Sequence, residues 1–291
     1  VIRRYSTAPA LACLLAAACT RAEDLSATRP ENPPQRIVAG SLLAAEVLLE
    51  IAPRERLAGV HSLAADPHFS LVAQRTTGLP LVGAEPEQLL AARPDLVIVD
   101  AFTRPETVAL LRSAGVPILR TESAASFADI AANVLRIGRA CHLEAAATAM
   151  VGQVEARLAA VRAAGADLAA WRVCSLDGAL HTYGKGSLFD AVVTTAGATH
   201  LAADRGVGPF RKLDVETLLA WQPDALVLGC APGGEERERA WLRQVQGLQH
   251  LVCVQKDRLV FVPGPLLGAT SPRLVEAAEL LQQRLHAWGK P

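Results

Sequence analysis

The 291-residue sequence predicts an α/β protein of two lobes, each built on a central parallel sheet, joined by one long α-helix. Three observations carry this expectation. Short apolar runs of strand type alternate with helix-like stretches in both halves of the chain. Between the halves lies an Ala-rich helical stretch from Ser126 to Ala164, without proline and with only Gly138 and Gly152 as weak points. Finally, Glu87–Asp95 (EQLLAARPD) leads into Leu-Val-Ile-Val, and Glu216–Asp224 (ETLLAWQPD) leads into Ala-Leu-Val-Leu. The copies lie 129 residues apart, one in each expected lobe.

In chain order, residues 1–22 read as an export signal. Arg3 and Arg4 precede a mostly apolar stretch from Ala8 to Ala18, and small residues stand directly before Cys19. Ala18-Cys19 resembles a bacterial lipobox, with Ala16 where the usual leucine would stand. Lipidation at Cys19 and ordinary cleavage near Ala18 or Ala22 are the two processing outcomes expected of this segment, against a buried N-terminal helix as the alternative. Residues 23–35, polar and containing Pro30, Pro33 and Pro34, suit a tether. The N-terminal lobe is expected over 36–125, with strands at Arg36–Ala39, Leu57–Val60, Leu96–Asp100 and Val116–Arg120. Helices are expected at Leu42–Ile51, Glu87–Ala92 and Pro105–Ala114, the last stopped by Gly115. The linking helix takes 126–164. The C-terminal lobe, 165–291, offers strands at Arg172–Leu176, Ala225–Leu228, Leu251–Val254 and Leu259–Val262. Its helices are expected over Ser187–Ala196 and from Pro272 to Trp288.

Composition narrows the function. With 51% hydrophobic and 20% charged residues the chain is globular. Its 29 basic and 29 acidic residues give no excess of positive charge for binding nucleic acid. No apolar run after the first twenty residues approaches the ~18 needed to span a bilayer. Contact with a membrane is therefore expected only through a lipid anchor. Cys141, Cys174, Cys230 and Cys253 show no zinc spacing and read as buried thiols. No H-E-x-x-H, no G-x-S-x-G and no G-x-G-x-x-G opening a helix after a first strand occurs. Gly184-Lys-Gly-Ser187 lacks the spacing of a phosphate loop.

An ordered set of segments carries a family resemblance. It comprises Arg36-Ile-Val, Gly59-Val60 with Pro67 downstream, Gly83 with Glu87–Asp95, Gly115-Val-Pro, the long helix, Tyr183-Gly-Lys-Gly-Ser187, Ala196-Gly197, Glu216–Asp224 and Ser271-Pro-Arg273. Together they resemble the periplasmic substrate-binding proteins of ABC importers for cobalamin, iron–siderophore and haem. The resemblance covers roughly Arg36 to Leu285. It implies two Rossmann-like lobes on one rigid helix, located in the periplasm or, as a lipoprotein, on the outer side of the inner membrane. It implies no catalysis and no permanent cofactor, but capture of a metal chelate and its delivery to an importer permease. In that family one acidic residue per lobe meets permease arginines, and the matching positions are Glu87 and Glu216. Each lies near a helix start, where the positive end of the helix favours a carboxylate. The alternative readings are a stand-alone sensor or scavenger of the same fold and, further off, a metal-dependent enzyme.

The ligand cleft is expected between the lobes, in loops that follow the strands. His61, Phe102, His181, Tyr183 and Phe210 are the side chains expected there. His61, Asp66 and His68 lie within eight residues and are candidate metal ligands, because imidazole and carboxylate suit first-row metals. A loop histidine is more commonly an ordinary hydrogen-bonded side chain.

Overall fold

A computed structural model describes residues 30–268 and 270–291. The export signal, Cys19 and most of the tether lie outside the described residues. The N-terminal lobe is one parallel sheet with the spatial order β3-β2-β1-β4-β5. Its strands are β1 (Ile37–Ala39), β2 (Leu57–His61), β3 (Leu81–Val82), β4 (Leu96–Val99) and β5 (Ile118–Arg120). Helices α1 (Leu42–Ile51), α2 (Pro86–Ala91) and α3 (Pro105–Ser113) connect them. Both β1 and β4 are wholly buried, as apolar runs in a covered parallel sheet must be. Ser41 caps α1 by accepting the Ala44 N–H. Strand order reverses at β1, so a crevice opens at its carboxyl end, where α1 begins.

The C-terminal lobe holds a second parallel sheet, ordered β11-β10-β6-β8. It contains β6 (Arg172–Ser175), β8 (Thr199–His200), β10 (Ala225–Cys230) and β11 (Leu259–Pro263). A separate antiparallel ribbon joins β7 (His181–Tyr183) to β9 (Phe210–Lys212), with Tyr183 opposite Phe210. The helices are α6 (Leu188–Thr195), α7 (Leu201–Asp204), α8 (Val215–Trp221), α9 (Glu235–Gln244), α10 (Val252–Gln255), α11 (Gly264–Gly268) and α12 (Val275–Trp288).

The stretch over 126–164 is two helices rather than one: α4 (Phe127–Ala140) and α5 (Glu144–Ala164). His142 takes a left-handed backbone (φ 55°), and the Leu143 N–H turns back to the Gly138 carbonyl at 2.7 Å. Gly138 permits the elbow because a Cβ there would collide with Ala147 of α5. The Cys141 carbonyl freed by the break accepts from the Arg56 guanidinium at 2.7 Å, so a distant residue satisfies it. Helix α4 packs on α1, and α5 packs on α6 and α12. One apolar core therefore runs unbroken from Ile37 through Val134, Ile137 and Leu158 to Val173. Lobes that share a core through a helix pair are held to small relative movements.

A second expectation also changes. Leu251–Val254 reads as a strand but forms α10, with the Lys256 N–H bonded to the Val252 carbonyl. A four-residue apolar run fits either period, and the strand that pairs with β10 is the next one, β11. The final helix opens with a 3-10 turn over Pro272–Leu274 before α12.

The internal repeat is one structural device used twice. In each copy a buried leucine, Leu89 or Leu218, fixes a short helix, and the residue before the proline, Arg93 or Gln222, takes a left-handed backbone. The following aspartate accepts main-chain N–H groups at the start of the neighbouring strand: Asp95 from Gln35 and Arg36, Asp224 from Arg172. The arginine at that start then donates to the open carbonyls at the helix end. Arg36 meets Ala92 and Arg93, and Arg172 meets Trp221 and Gln222. Sequence similarity here reflects a shared solution to ending a helix and entering a buried strand.

Candidate functional site

A cavity of about 510 Å³ opens where the carboxyl ends of both sheets meet. The N-terminal lobe contributes Leu42 from the start of α1, and His68 and Phe69 from the loop after β2. The C-terminal lobe contributes Ser175–Asp177 after β6, Gly229–Ala231 after β10 and Gly264–Leu267 after β11. The β7–β9 ribbon adds His181, Tyr183 and Phe210. Three of the five expected cleft residues are thus brought together. His61 and Phe102 do not line the cavity: His61 is half-buried at the end of β2, and Phe102 stands 79% exposed. Phe69, Asp177, Cys230 and Arg237 line it without having been expected. Being adjacent to His68 and within the loop leading to His181 could have pointed to the first two. Cys230 and Arg237 carried no such signal.

The ribbon builds an aromatic surface. His181 stacks on Phe210 at 4.8 Å between centroids, and Tyr183 tilts against Phe210 at 5.5 Å and Phe189 at 6.3 Å. Behind it, buried His200 meets Asp190 through Nδ1 at 2.8 Å and the Tyr183 carbonyl through Nε2 at 3.1 Å. Both nitrogens of His200 are thereby used to brace the ribbon. Burial, followed by the nearby Asp177 charge, raises the Tyr183 hydroxyl above the usual tyrosine range, so it stays neutral at pH 7.

The candidate metal ligands divide. Asp66 and His68 pair at 2.9 Å, and bonds from the His68 amide and ring lower the Asp66 carboxyl. His61 stands apart, its Nδ1 accepting the Leu63 N–H at 3.2 Å. Burial lowers the His61 ring, against an opposing pull from Asp100. A smaller hollow of about 300 Å³ lies between α4 and α5, lined chiefly by apolar side chains such as Val134, Val154 and Leu158. Convergent polar groups and aromatic faces favour the interlobe cavity as the binding site.

Glu87 and Glu216 are exposed in the first turns of α2 and α8. Neither has an ion-pair partner among the described residues, so each offers an uncommitted charge.

The periplasmic binding protein family model matches residues 37–266. The chain belongs to that family. Among curated relatives of this periplasmic binding protein is the cobalamin-binding protein of Halobacterium salinarum, 25% identical over 265 residues, covering 88% of this chain and 70% of the relative. Among solved structures, the periplasmic heme-binding protein RhuT from Roseiflexus sp. RS-1 superposes with a TM-score of 0.76 at 27% identity. That match covers 87% of this chain and 98% of the other. The vitamin B12 binding protein BtuF of Vibrio cholerae, 21% identical with a TM-score of 0.69, shares the fold over 89% of this chain and 99% of its own. By its family this chain is a binding protein rather than an enzyme. No helix among the described residues is long and apolar enough to cross a membrane.

The four cysteines among the described residues are free and buried. Burial pushes the Cys141 and Cys253 thiols up to about 12 and Cys174 to about 11. Cys230 is raised too, by burial and then by Glu235 and Glu238, but it lines the cleft. Thiols held above the ordinary range remain protonated and react slowly. Of the four cysteines among the described residues, iodoacetamide at pH 8 is expected to label only Cys230 in the native protein, more slowly than free cysteine. Peptide mass mapping checks this, and rapid labelling of Cys141, Cys174 or Cys253 would contradict the buried placement.

Proposed function

We propose that this periplasmic binding protein captures a metal chelate of the cobalamin, ferric-siderophore or haem kind and delivers it to the permease of an ABC importer. The observation that carries the reading is the interlobe cavity, whose walls combine imidazole and phenyl groups at the carboxyl ends of two parallel sheets. Relatives named for binding cobalamin and heme support the same class. Export would depend on residues 1–22, with Cys19 available for a lipid anchor. Glu87 and Glu216 would meet basic groups of the permease, one from each lobe. Because the lobes share a core, binding would rest on a largely preformed cleft and small closing movements.

Calorimetric titration of the exported protein with cyanocobalamin, hemin and a ferric hydroxamate siderophore tests the reading. At least one is expected to bind with Kd below ~10 μM, about −7 kcal/mol. Phe210→Ala should weaken that binding roughly tenfold, the value of about 1.4 kcal/mol of lost aromatic contact. A folded protein that binds none of the three would overturn the proposal.

A further inference from the structure

The loop between β4 and α3 holds a phenylalanine out in water. Phe102 is 79% exposed, the most open of the large apolar side chains among the described residues, and it does not line the cleft. A loose loop could lay such a ring on the neighbouring helices and gain apolar burial. This loop is instead tied down at each residue from Asp100 to Thr103. The Asp100 carboxylate accepts the Phe102 N–H at 3.0 Å and the Thr103 hydroxyl at 2.9 Å. The Thr103 N–H returns to the Asp100 carbonyl at 3.3 Å. From the end of β5, the Arg120 guanidinium donates to the carbonyls of Asp100, Ala101 and Thr103 at 3.2, 2.6 and 3.2 Å. Bonds on both sides of Phe102 thus order its main chain before any partner arrives, which lowers the entropy lost on association.

The charges around the ring indicate the kind of partner. Arg104, the N-cap of α3, meets both carboxylate oxygens of Glu85, the N-cap of α2, at 2.7 Å. This pair ties the Phe102 loop to the start of α2, and α2 packs against α3. Glu87 and Glu106 are exposed in the first turns of these two helices. Neither has an ion-pair partner among the described residues, so the uncommitted charges at both helix starts are negative. An anionic lipid surface would repel these carboxylates, and apolar side chains that seat in membranes are accompanied by basic ones. A protein surface with an apolar pocket edged by arginine or lysine fits instead: the pocket takes the ring and the edge takes the carboxylates. The matching loop of the C-terminal lobe, after β10, runs Ala231-Pro-Gly-Gly234 without an aromatic ring. The anchor therefore belongs to one lobe, and a single substitution removes it.

We propose that Phe102 is an apolar anchor for the importer permease, inserted in a pocket of that protein while Glu87 and Glu106 meet the basic side chains around it. This rests on the delivery reading above and adds to the paired glutamates a contact that carries no charge. Salt screens contacts between exposed charges but not apolar burial. Binding to the permease should therefore keep a salt-resistant part that depends on Phe102.

The test measures binding of the exported protein to proteoliposomes that hold its importer permease, at low and at high salt. Phe102→Ala is expected to weaken binding at least ~10-fold under both conditions, as loss of a central aromatic anchor does. Phe102→Leu keeps an apolar side chain and should recover most of the affinity. Phe102→Ala should leave the melting temperature unchanged, because the ring is exposed. It should also leave unchanged the calorimetric affinity for cyanocobalamin, hemin or a ferric hydroxamate, whichever the parent binds, because the ring lies outside the cleft. Equal permease binding by the parent and Phe102→Ala overturns the anchor. So does a loss of ligand affinity, which would make Phe102 a cleft residue, and so does Phe102-dependent binding to liposomes without permease, which would make it a lipid contact. In each of these cases the delivery reading stands on the parent's binding to the permease. A parent protein that does not bind the permease at either salt concentration overturns the delivery reading and the anchor together.

Discussion

Replacing Glu87 and Glu216 together with glutamine is expected to lower ligand uptake by whole cells more than ~10-fold while leaving the purified protein's affinity unchanged. Both carboxylates are exposed in first helical turns of matched repeats and are free of ion pairs among the described residues. They lie outside the set of residues lining the cleft, so their neutralisation should not reach the ligand. A charge-assisted contact of each carboxylate with a permease arginine, as proposed above, would be worth about 1.5–3 kcal/mol. Two such losses exceed the 1.4 kcal/mol that corresponds to a factor of ten. Either single change should give an intermediate defect, because each lobe would contribute its own contact. Uptake of labelled ligand, measured beside calorimetry on the same variants, separates delivery from capture. Full uptake by the double variant with normal binding would remove the docking role and favour a sensor or scavenger.

Gly197→Ala is expected to destabilise the fold by about 3 kcal/mol or more. Gly197 has φ 89°, a conformation that costs a residue bearing a Cβ about 1–3 kcal/mol. The added carbon would also press on the main chain of Gly165, 2.7 Å from its carbonyl carbon, and overpacking of this kind costs a further ~1–3 kcal/mol. Backbone cannot swing aside as the end of a side chain can. The contact joins the end of α5 to the turn between α6 and β8, where the linking helices enter the C-terminal lobe. Gly178→Ala is the control: its φ is ordinary, nothing lies within 4 Å, and it should shift stability by no more than ~0.5 kcal/mol. Urea unfolding of the two variants decides the matter, and equal midpoints would disprove the close approach.

Much of the fold was legible because its signals are local. Buried parallel strands must be apolar, so β1, β2, β4, β5, β6, β10 and β11 all appear as short hydrophobic runs. The repeat was legible because the helix stop, proline and aspartate act within nine residues. The elbow between α4 and α5 was not, since the Cys141 carbonyl beside the His142 turn is satisfied by Arg56, far away in sequence. The cleft was partly legible. His181, Tyr183 and Phe210 lie in or beside strands of the expected lobe and do meet there, but Phe102 follows β4 equally well and does not line the cavity. Loop position predicts which end of a sheet a residue occupies, not which way its side chain turns.

By itself the sequence determined the two α/β lobes, the helical region between them, the matched acidic residues and the scarcity of aromatic rings: four Trp, two Tyr and six Phe. These depend on periodicity, composition and local capping, which are written in neighbouring residues. Only the tertiary structure decided which hydrogen-bond partner each of three histidine rings meets. His61 ends β2, His68 lies in the loop that follows and His181 opens β7, and their rings differ in the partner that folding places on Nδ1. An amide that donates puts the hydrogen of the His61 ring on Nε2, and a carboxylate that accepts puts it on Nδ1 in the other two.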